Sequence, residues 1–361
     1  LCYTSGTTGN PKGVLYSHRS NFLHTLVALA GDTLGIGGQS VILPVVPMFH
    51  ANAWGIPYAA AGCGAKIAFN GPHHDPETLH QLMMDEGVTV TAAVPTIWLG
   101  MLKYLRATGK DVGDLTTVTI GGSAAPRSMI QAFQDEYGVR VNHAWGMTET
   151  SPLGSLGSEN AAVQHLSEEE KLDIKCKQGR SVLGVEMCVM DDEGAELPRD
   201  GESSGGLYVR GPWVIKEYFK GEAGQILDED NWFDTGDVAC IDKYGYMQIT
   251  DRAKDVIKTG GEWISSIDLE NAAVAHPDVA EAAVIGIFHP KWDERPLLVL
   301  VMEEGKTTTL DEMNAHLVKH VAKWWLPDDV QFVSELPHTA TGKISKKDLR
   351  DQFKDYKLPT A

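Results

Sequence analysis

Apolar positions along the chain recur with two different periods. Through residues 1–150, short β-branched runs at 40–46, 66–70, 88–94, 115–120 and 139–143 alternate with stretches whose apolar positions repeat every three or four residues. Ser17 predicts a helix cap, with Phe22, Leu23, Leu26 and Leu29 on one face of a helix reaching about Ala30. Asp75 and Pro76 open a second helix, which ends near Gly87. Residues 96–106 and 127–137 read as two more. This strand–helix rhythm predicts a largely parallel sheet covered by helices.

The rhythm then breaks twice. Residues 158–178 are polar, with Glu168-Glu169-Glu170-Lys171, and read as a solvated surface helix or insertion. Residues 179–250 hold short β-runs at 185–190, 206–210, 238–241 and 246–250, with Gly and Asp clustered between them, which predicts a small β-rich subdomain. From about Ala253 the pattern is helix 266–275, strands 279–288 and 296–302, and helix 310–321. The fold class expected is α/β: a large N-terminal region, 1–250 (1–178 α/β, 179–250 β-rich), a hinge at 251–254, and a smaller, mobile α+β domain at 255–361.

Composition narrows the function. The 361 residues carry a net charge of −18, which disfavours nucleic acid and anionic membrane surfaces as partners. No apolar stretch is long enough for a transmembrane helix, so stable membrane insertion is not expected. Five cysteines without a C-x-x-C pair read as free thiols in a reducing cytoplasm.

Candidate chemistry begins at the first residues. Tyr3-Thr4-Ser5-Gly6-Thr7-Thr8-Gly9-Asn10-Pro11-Lys12-Gly13 combines glycines that let backbone N–H groups approach an anion, hydroxyl donors, and a lysine charge. Its spacing is not G-x-x-x-x-G-K-[ST]. Taken singly, the other candidates have plain explanations. Lys343 in Lys343-Ile344-Ser345-Lys346-Lys347 is a solvated lysine, Glu149 and Asp237 are turn residues, and His50 beside Phe49 is a satisfied core histidine.

Together they are more specific. The loop 3–13 resembles the phosphate-loop signature of the adenylate-forming superfamily, which holds acyl-CoA synthetases, adenylation domains and luciferases. Gly121-Gly122-Ser123-Ala124-Ala125-Pro126 resembles that family's adenine-binding turn, and Trp145-Gly146-Met147-Thr148-Glu149 its Y-G-M-T-E. Trp232-Phe233-Asp234-Thr235-Gly236-Asp237 resembles W-F-x-T-G-D, Asp251-Arg252-Ala253-Lys254 the hinge, and Thr341-Gly342-Lys343 the C-terminal lysine motif. All six occur in the family's order. The chain departs from the family at His143-Ala144, where Gln-Gly is common, and at Gly206, where an acidic residue is usual.

The resemblance implies an AMP-forming acyl-CoA ligase that uses ATP, Mg²⁺ and CoA. In such an enzyme Thr4, Ser5, Gly6, Thr7, Thr8 and Lys12 would hold phosphates. Gly122, Ser123, Ala124, His143, Ala144, Trp145 and Gly146 would line the nucleotide. Thr148 would touch the α-phosphate and Glu149 would hold Mg²⁺. Asp237 and Arg252 would take the ribose, and Lys343 would bridge the carboxylate and the α-phosphate. His50, counted with Lys343, Thr148 and Glu149 among the catalytic groups, would line the carboxylate and gate thiol entry, and His50, Trp54, Gly121, Gly146 and Met147 would wall the acyl pocket, with Trp54 placed one helical turn after His50. For thioester formation the C-terminal module would turn about Lys254, withdrawing Lys343 and bringing in Lys258, Gly260, Gly261, Glu262 and Trp263 as a CoA channel. Within the superfamily the chain looks most like the bacterial 3-methylmercaptopropionate–CoA ligases of dimethylsulfoniopropionate degradation; medium-chain fatty-acid–CoA ligases share much of its texture, and the alternative of another class is a non-catalytic nucleotide- or acyl-CoA-binding protein. The resemblance allows a homodimer, which the sequence itself does not reveal. The chain opens on its most specialised loop, so a further ~150–200 residues are expected before it, without which the 361 residues would be less stable and could be inactive.

Overall fold

A computed structural model describes residues 1–4 and 10–361. The chain divides into two compact units, Leu1–Thr235 with Cys240–Gln248, and Gly236–Ala239 with Ile249–Ala361.

The first unit is built on a seven-stranded sheet in the order Lys66–Ile67, Val41–Pro44, Val90–Ala93, Thr117–Ile120, Arg140–Gly146, Leu153–Leu156, Arg180–Ser181. The first five strands are parallel and the last two antiparallel. Helices Pro76–Glu86, Pro95–Thr108 and Arg127–Tyr137 supply apolar faces, and Trp98 meets Phe133 edge-on at 5.8 Å between ring centroids. Every residue of Val90–Ala93 and Thr117–Ile120 is buried, as expected for parallel strands covered on both sides. A four-stranded sheet, Glu186–Met190, Gly205–Arg210, Phe233–Ile241 and Met247–Arg252, accounts for the β-rich stretch.

Two expectations fail in instructive ways. Ser17 does cap a helix, His18–Ala28, but Phe22 and Leu26 are 63% and 51% exposed, and the buried residues are His24 and Ala28. The contact face is the one that approaches helix Ile56–Cys63 closely: a Cβ on Gly62 would lie 3.5 Å from Thr25 Cγ2. The polar stretch near residue 168 does form a helix, Glu168–Cys176, closed by a Ser167/Glu170 capping box, yet it is not merely solvated. Leu172 joins the main core and Ile174 is buried.

The second unit holds a five-stranded sheet in the order Glu262–Ile264, Ile257–Thr259, Asp293–Met302, Val279–His289, with Asp329–Phe332 parallel to Asp293–Met302. Its long strands are apolar on both faces. Ala282, Val284, Leu298 and Leu300 pack with helices Ser266–Val274 and Leu310–Leu317. The alternate residues Ala283, Ile285, Leu297 and Val299 pack with Leu349 of helix Lys346–Gln352.

Candidate active site

In the first unit, Cys2–Tyr3 and Gly13–Val14 pair antiparallel and hold the ends of the phosphate-loop motif together. Thr4 N–H donates to Lys12 O at 2.9 Å, and Lys12 N–H donates to Thr4 Oγ1 at 2.9 Å. Ser5, Gly6, Thr7 and Thr8 lie outside the described residues. Gly13 admits no side chain cheaply, since a Cβ there would sit 3.0 Å from Phe219 Cβ. Lys12 Nζ lies 4.8 Å from the centroid of the Tyr218 ring.

Two neighbouring parallel strands deliver the next groups. Thr117–Ile120 ends at Gly121, Gly122, Ser123 and Ala124, before helix Arg127–Tyr137. Arg140–Gly146 carries His143, Ala144, Trp145 and Gly146, and leads into the 3-10 turn Thr148–Thr150. Gly146 is obligatory there, because a Cβ would fall 1.9 Å from Pro152 O. His143 is buried, with Nε2 accepting from Ala125 N–H at 3.3 Å and Nδ1 3.0 Å from Cys176 O. Burial holds its imidazole neutral, down to about 4. It thus braces the turn after Gly121 from behind.

Thr148 and Glu149 are both buried. Tyr16 donates its hydroxyl to Thr148 O at 2.6 Å, and Tyr218 donates to Glu149 Oε1 at 2.6 Å. Ile215 N–H donates to Glu149 O at 2.8 Å. Neither tyrosine belongs to a motif recognised in the sequence. For Tyr218 the one available signal is that a buried carboxylate needs a donor, whereas Tyr16 serves a backbone carbonyl. Among the described residues no group of three or more His, Cys, Asp or Glu could hold a metal. Glu149 alone, as one buried carboxylate, fits Mg²⁺, which binds through one or two carboxylates together with substrate phosphates and water.

The segment after His50 corrects the helical argument. Ala51, Asn52, Ala53 and Trp54 have φ of 45°, 54°, 50° and 57°, followed by Gly55 at 72°. This is a left-handed turn, so right-handed i, i+4 spacing does not relate His50 to Trp54. Trp54 nevertheless reaches the expected neighbour: a Cβ on Gly121 would lie 3.2 Å from its Cη2 and 3.1 Å from Ala144 O. His50 is half-buried at the start of the turn, and Met147 is half-buried beyond Gly146.

In the second unit, buried Asp237 pairs with Arg252, Oδ1 to Nε 3.1 Å. Lys343 sits in a tight turn where Thr339 N–H donates to Lys343 O at 2.7 Å and Gly342 has φ of 79°. Burial and the Arg252 charge push the Lys343 ammonium down to about 8, against the opposing pull of Asp237. Lys254 follows Arg252 in a turn closed by Asp255 N–H to Arg252 O at 2.8 Å. The expected CoA-channel residues form a two-residue hairpin. Lys258 faces Trp263 and Thr259 faces Glu262 across it, with Gly260 and Gly261 at φ of 59° and 92°. Sequence reading missed a cluster beneath these groups: Lys346 Nζ lies 2.8 Å from Glu270 Oε1 and donates to Ser266 Oγ at 2.5 Å, and Ser266 Oγ donates to Asp251 Oδ2 at 2.6 Å.

Two family models match the chain. Residues 1–219 match the AMP-binding enzyme family, and residues 268–343 match the AMP-binding enzyme C-terminal domain. The chain is 52% identical to the medium-chain-fatty-acid–CoA ligase of Ectopseudomonas oleovorans, over 99% of this chain and 65% of that protein. It is 53% identical to the 3-methylmercaptopropionyl-CoA ligase of Ruegeria pomeroyi, over 98% of this chain and 66% of that protein. It therefore spans just under two thirds of the length of these curated relatives. ATP-bound MatB from Rhodopseudomonas palustris superposes with a TM-score of 0.84 at 28% identity, covering 99% of this chain and 68% of that one. With the motifs in order and the folds in agreement, the chain belongs to the AMP-binding enzyme family.

Proposed function

We propose that the protein is an AMP-forming acyl-CoA ligase. In the first step a carboxylate oxygen attacks the α-phosphorus of ATP, a P–O bond breaks, and pyrophosphate leaves. In the second, the CoA thiol gives up its proton and attacks the acyl carbon, and the C–O bond to AMP breaks. Two anions must meet in the first step, so positioning and charge neutralisation dominate its barrier. The observation that carries this reading is the pair of charge-bearing groups built into separate turns: Glu149 clamped at the end of Arg140–Gly146, and Lys343 held beside Arg252 and Asp237.

In this reading Lys12 and the loop it closes take the outer phosphates, and Asp237 with Arg252 takes the ribose. Glu149 would hold Mg²⁺, which supplies neutralisation of phosphate charge when bound. Lys343, cationic below about pH 8, approaches both the carboxylate and the α-phosphate. The hairpin at Gly260 and Gly261 lines the path of CoA, and the second unit turns about Lys254 between steps. Five free cysteines are consistent with a reducing, cytoplasmic setting.

The acid we assign is 3-methylmercaptopropionate. Trp54 lying against Gly121 suits a short, slender chain. A medium-chain fatty acid is the second reading, supported by the equally high identity to a ligase of that class. A panel of acids from three to ten carbons, with and without sulfur, assayed for CoA-dependent AMP release separates them. We expect the highest kcat/KM for 3-methylmercaptopropionate. Steady improvement with chain length would overturn the substrate, and no AMP from any acid would overturn the reaction.

A further inference from the structure

Glu149 is a buried carboxylate with one firmly held oxygen. Oε1 accepts the Tyr218 hydroxyl at 2.6 Å, and the tyrosine is itself only 7% exposed. The same residue touches a second part of the site, because Lys12 Nζ lies 4.8 Å from its ring centroid. The chain around Tyr218 is fixed on both sides of these contacts. Ile215 N–H donates to Glu149 O at 2.8 Å, and Phe219 packs where a Cβ on Gly13 would come within 3.0 Å. Residues 215–219 therefore grip Glu149 by backbone and side chain, and pack against the two residues that end the phosphate-loop motif.

We propose that Tyr218 is a positioning residue that joins the metal carboxylate to the phosphate-loop lysine. Its hydroxyl fixes Oε1 of Glu149 and so orients the carboxylate that would hold Mg²⁺. Its ring seats Lys12 for the phosphates of the same nucleotide. The phenol suits this work because its hydroxyl reaches Glu149 Oε1 at 2.6 Å and brings no formal charge of its own. A hydrogen bond from a neutral group orients a carboxylate without cancelling the charge a cation needs. Two contacts from one side chain also predict that its hydroxyl and its ring can be separated by mutation. This inference rests on the assignment of Glu149 in the proposed function.

The test measures binding as well as turnover. Mn²⁺ replaces Mg²⁺, and its retention with the non-cleavable α,β-methylene analogue of ATP is read by electron paramagnetic resonance. Circular dichroism and melting temperature confirm that each variant is folded. Tyr218→Phe removes the hydroxyl and keeps the ring, so Mn²⁺ affinity should fall about tenfold or more. Its affinity for the analogue without metal should stay within about twofold, since a ring still lies under Lys12. Tyr218→Leu should lose both. Unchanged Mn²⁺ retention in Tyr218→Phe overturns the inference, as does a Tyr218→Leu variant that binds the metal-free analogue like its parent. If the parent releases AMP yet retains no Mn²⁺, the assignment of Glu149 and this inference fall while the reaction stands. If the parent neither releases AMP nor binds the analogue, the functional reading falls with them.

Discussion

Lys343 and Lys346 stand three residues apart in a run that reads as solvated charge, yet the structure gives them opposite circumstances. Lys343 has its proton destabilised to about 8 by burial and by Arg252, whereas Lys346 lies 2.8 Å from a carboxylate oxygen of Glu270. Below about pH 8 Lys343 is charged in folded and unfolded chains alike, and folding bears the full cost of burying that charge. Between about 8 and 10.5 only the unfolded chain holds the proton, so the cost is progressively relieved. The stability advantage of Lys343→Met should therefore be largest below pH 8 and vanish near 10.5, as read from paired melting curves across pH. Catalysis runs the other way. Adenylation should decline as pH rises through about 8, and Lys343→Ala should abolish it while sparing thioester formation from supplied acyl-adenylate. Equal loss of both half-reactions would sink the assignment of Lys343 to the first step alone. Lys346→Met is expected to act on stability, because it leaves the largely shielded Glu270 carboxylate, 17% exposed, without its ion-pair partner. The loss should be about 3–5 kcal/mol in urea denaturation, and a change under about 1 kcal/mol would contradict the pairing.

At the scale of elements, the left-handed turn from Ala51 to Trp54 is the feature least visible in the sequence. Each non-glycine residue in this conformation costs about 1–2 kcal/mol relative to a right-handed one, so surrounding contacts must hold it. Asn52, a residue type that tolerates positive φ, accepts from the Cys2 thiol at 3.3 Å and donates to Tyr58 Oη at 3.1 Å. Asn52→Ala should lower stability by about 1–3 kcal/mol and broaden acid selectivity, because Trp54 is then held less firmly against Gly121. A variant with parental melting and parental selectivity would show that the turn is held elsewhere. Amphipathic spacing gave no warning of this turn, since the run reads as an ordinary apolar stretch. Helix 127–137 was readable to the residue, because its apolar face and terminal Gly138 agree. The parallel strands were readable within two or three residues, because burial on both faces leaves unbroken apolar runs. Helix His18–Ala28 was placed correctly, but its buried face is His24 and Ala28, and of the expected stripe Phe22 and Leu26 face outward. Glu149, Asp237, Arg252 and Lys343 were readable only as an ordered set of motifs. Tyr16 and Tyr218 were not, because a donor that reaches across the fold has no sequence spacing.

For the whole molecule, charge sets a problem that the local sites must solve. The chain carries −18, while the proposed substrates ATP, CoA and a carboxylate are all anions. A diffusing anion meets net repulsion over long range and a few placed cations, Lys12, Arg252 and Lys343, only at short range. These two contributions respond differently to salt. The Debye length falls from about 30 Å at 10 mM to about 8 Å at 150 mM, which removes most of the long-range repulsion. Attraction inside a partly buried site at contact distance is screened much less. Raising monovalent salt over that range at constant free Mg²⁺ should therefore raise kcat/KM for ATP and CoA, by about two- to threefold, where an enzyme with a basic funnel would lose rate. The effect should fall on KM, with kcat nearly constant, because the chemical step occurs after the charges have met. A steep fall in kcat/KM with salt would mean that the local cations dominate even at a distance, and that the acidic surface has no influence on how these substrates arrive.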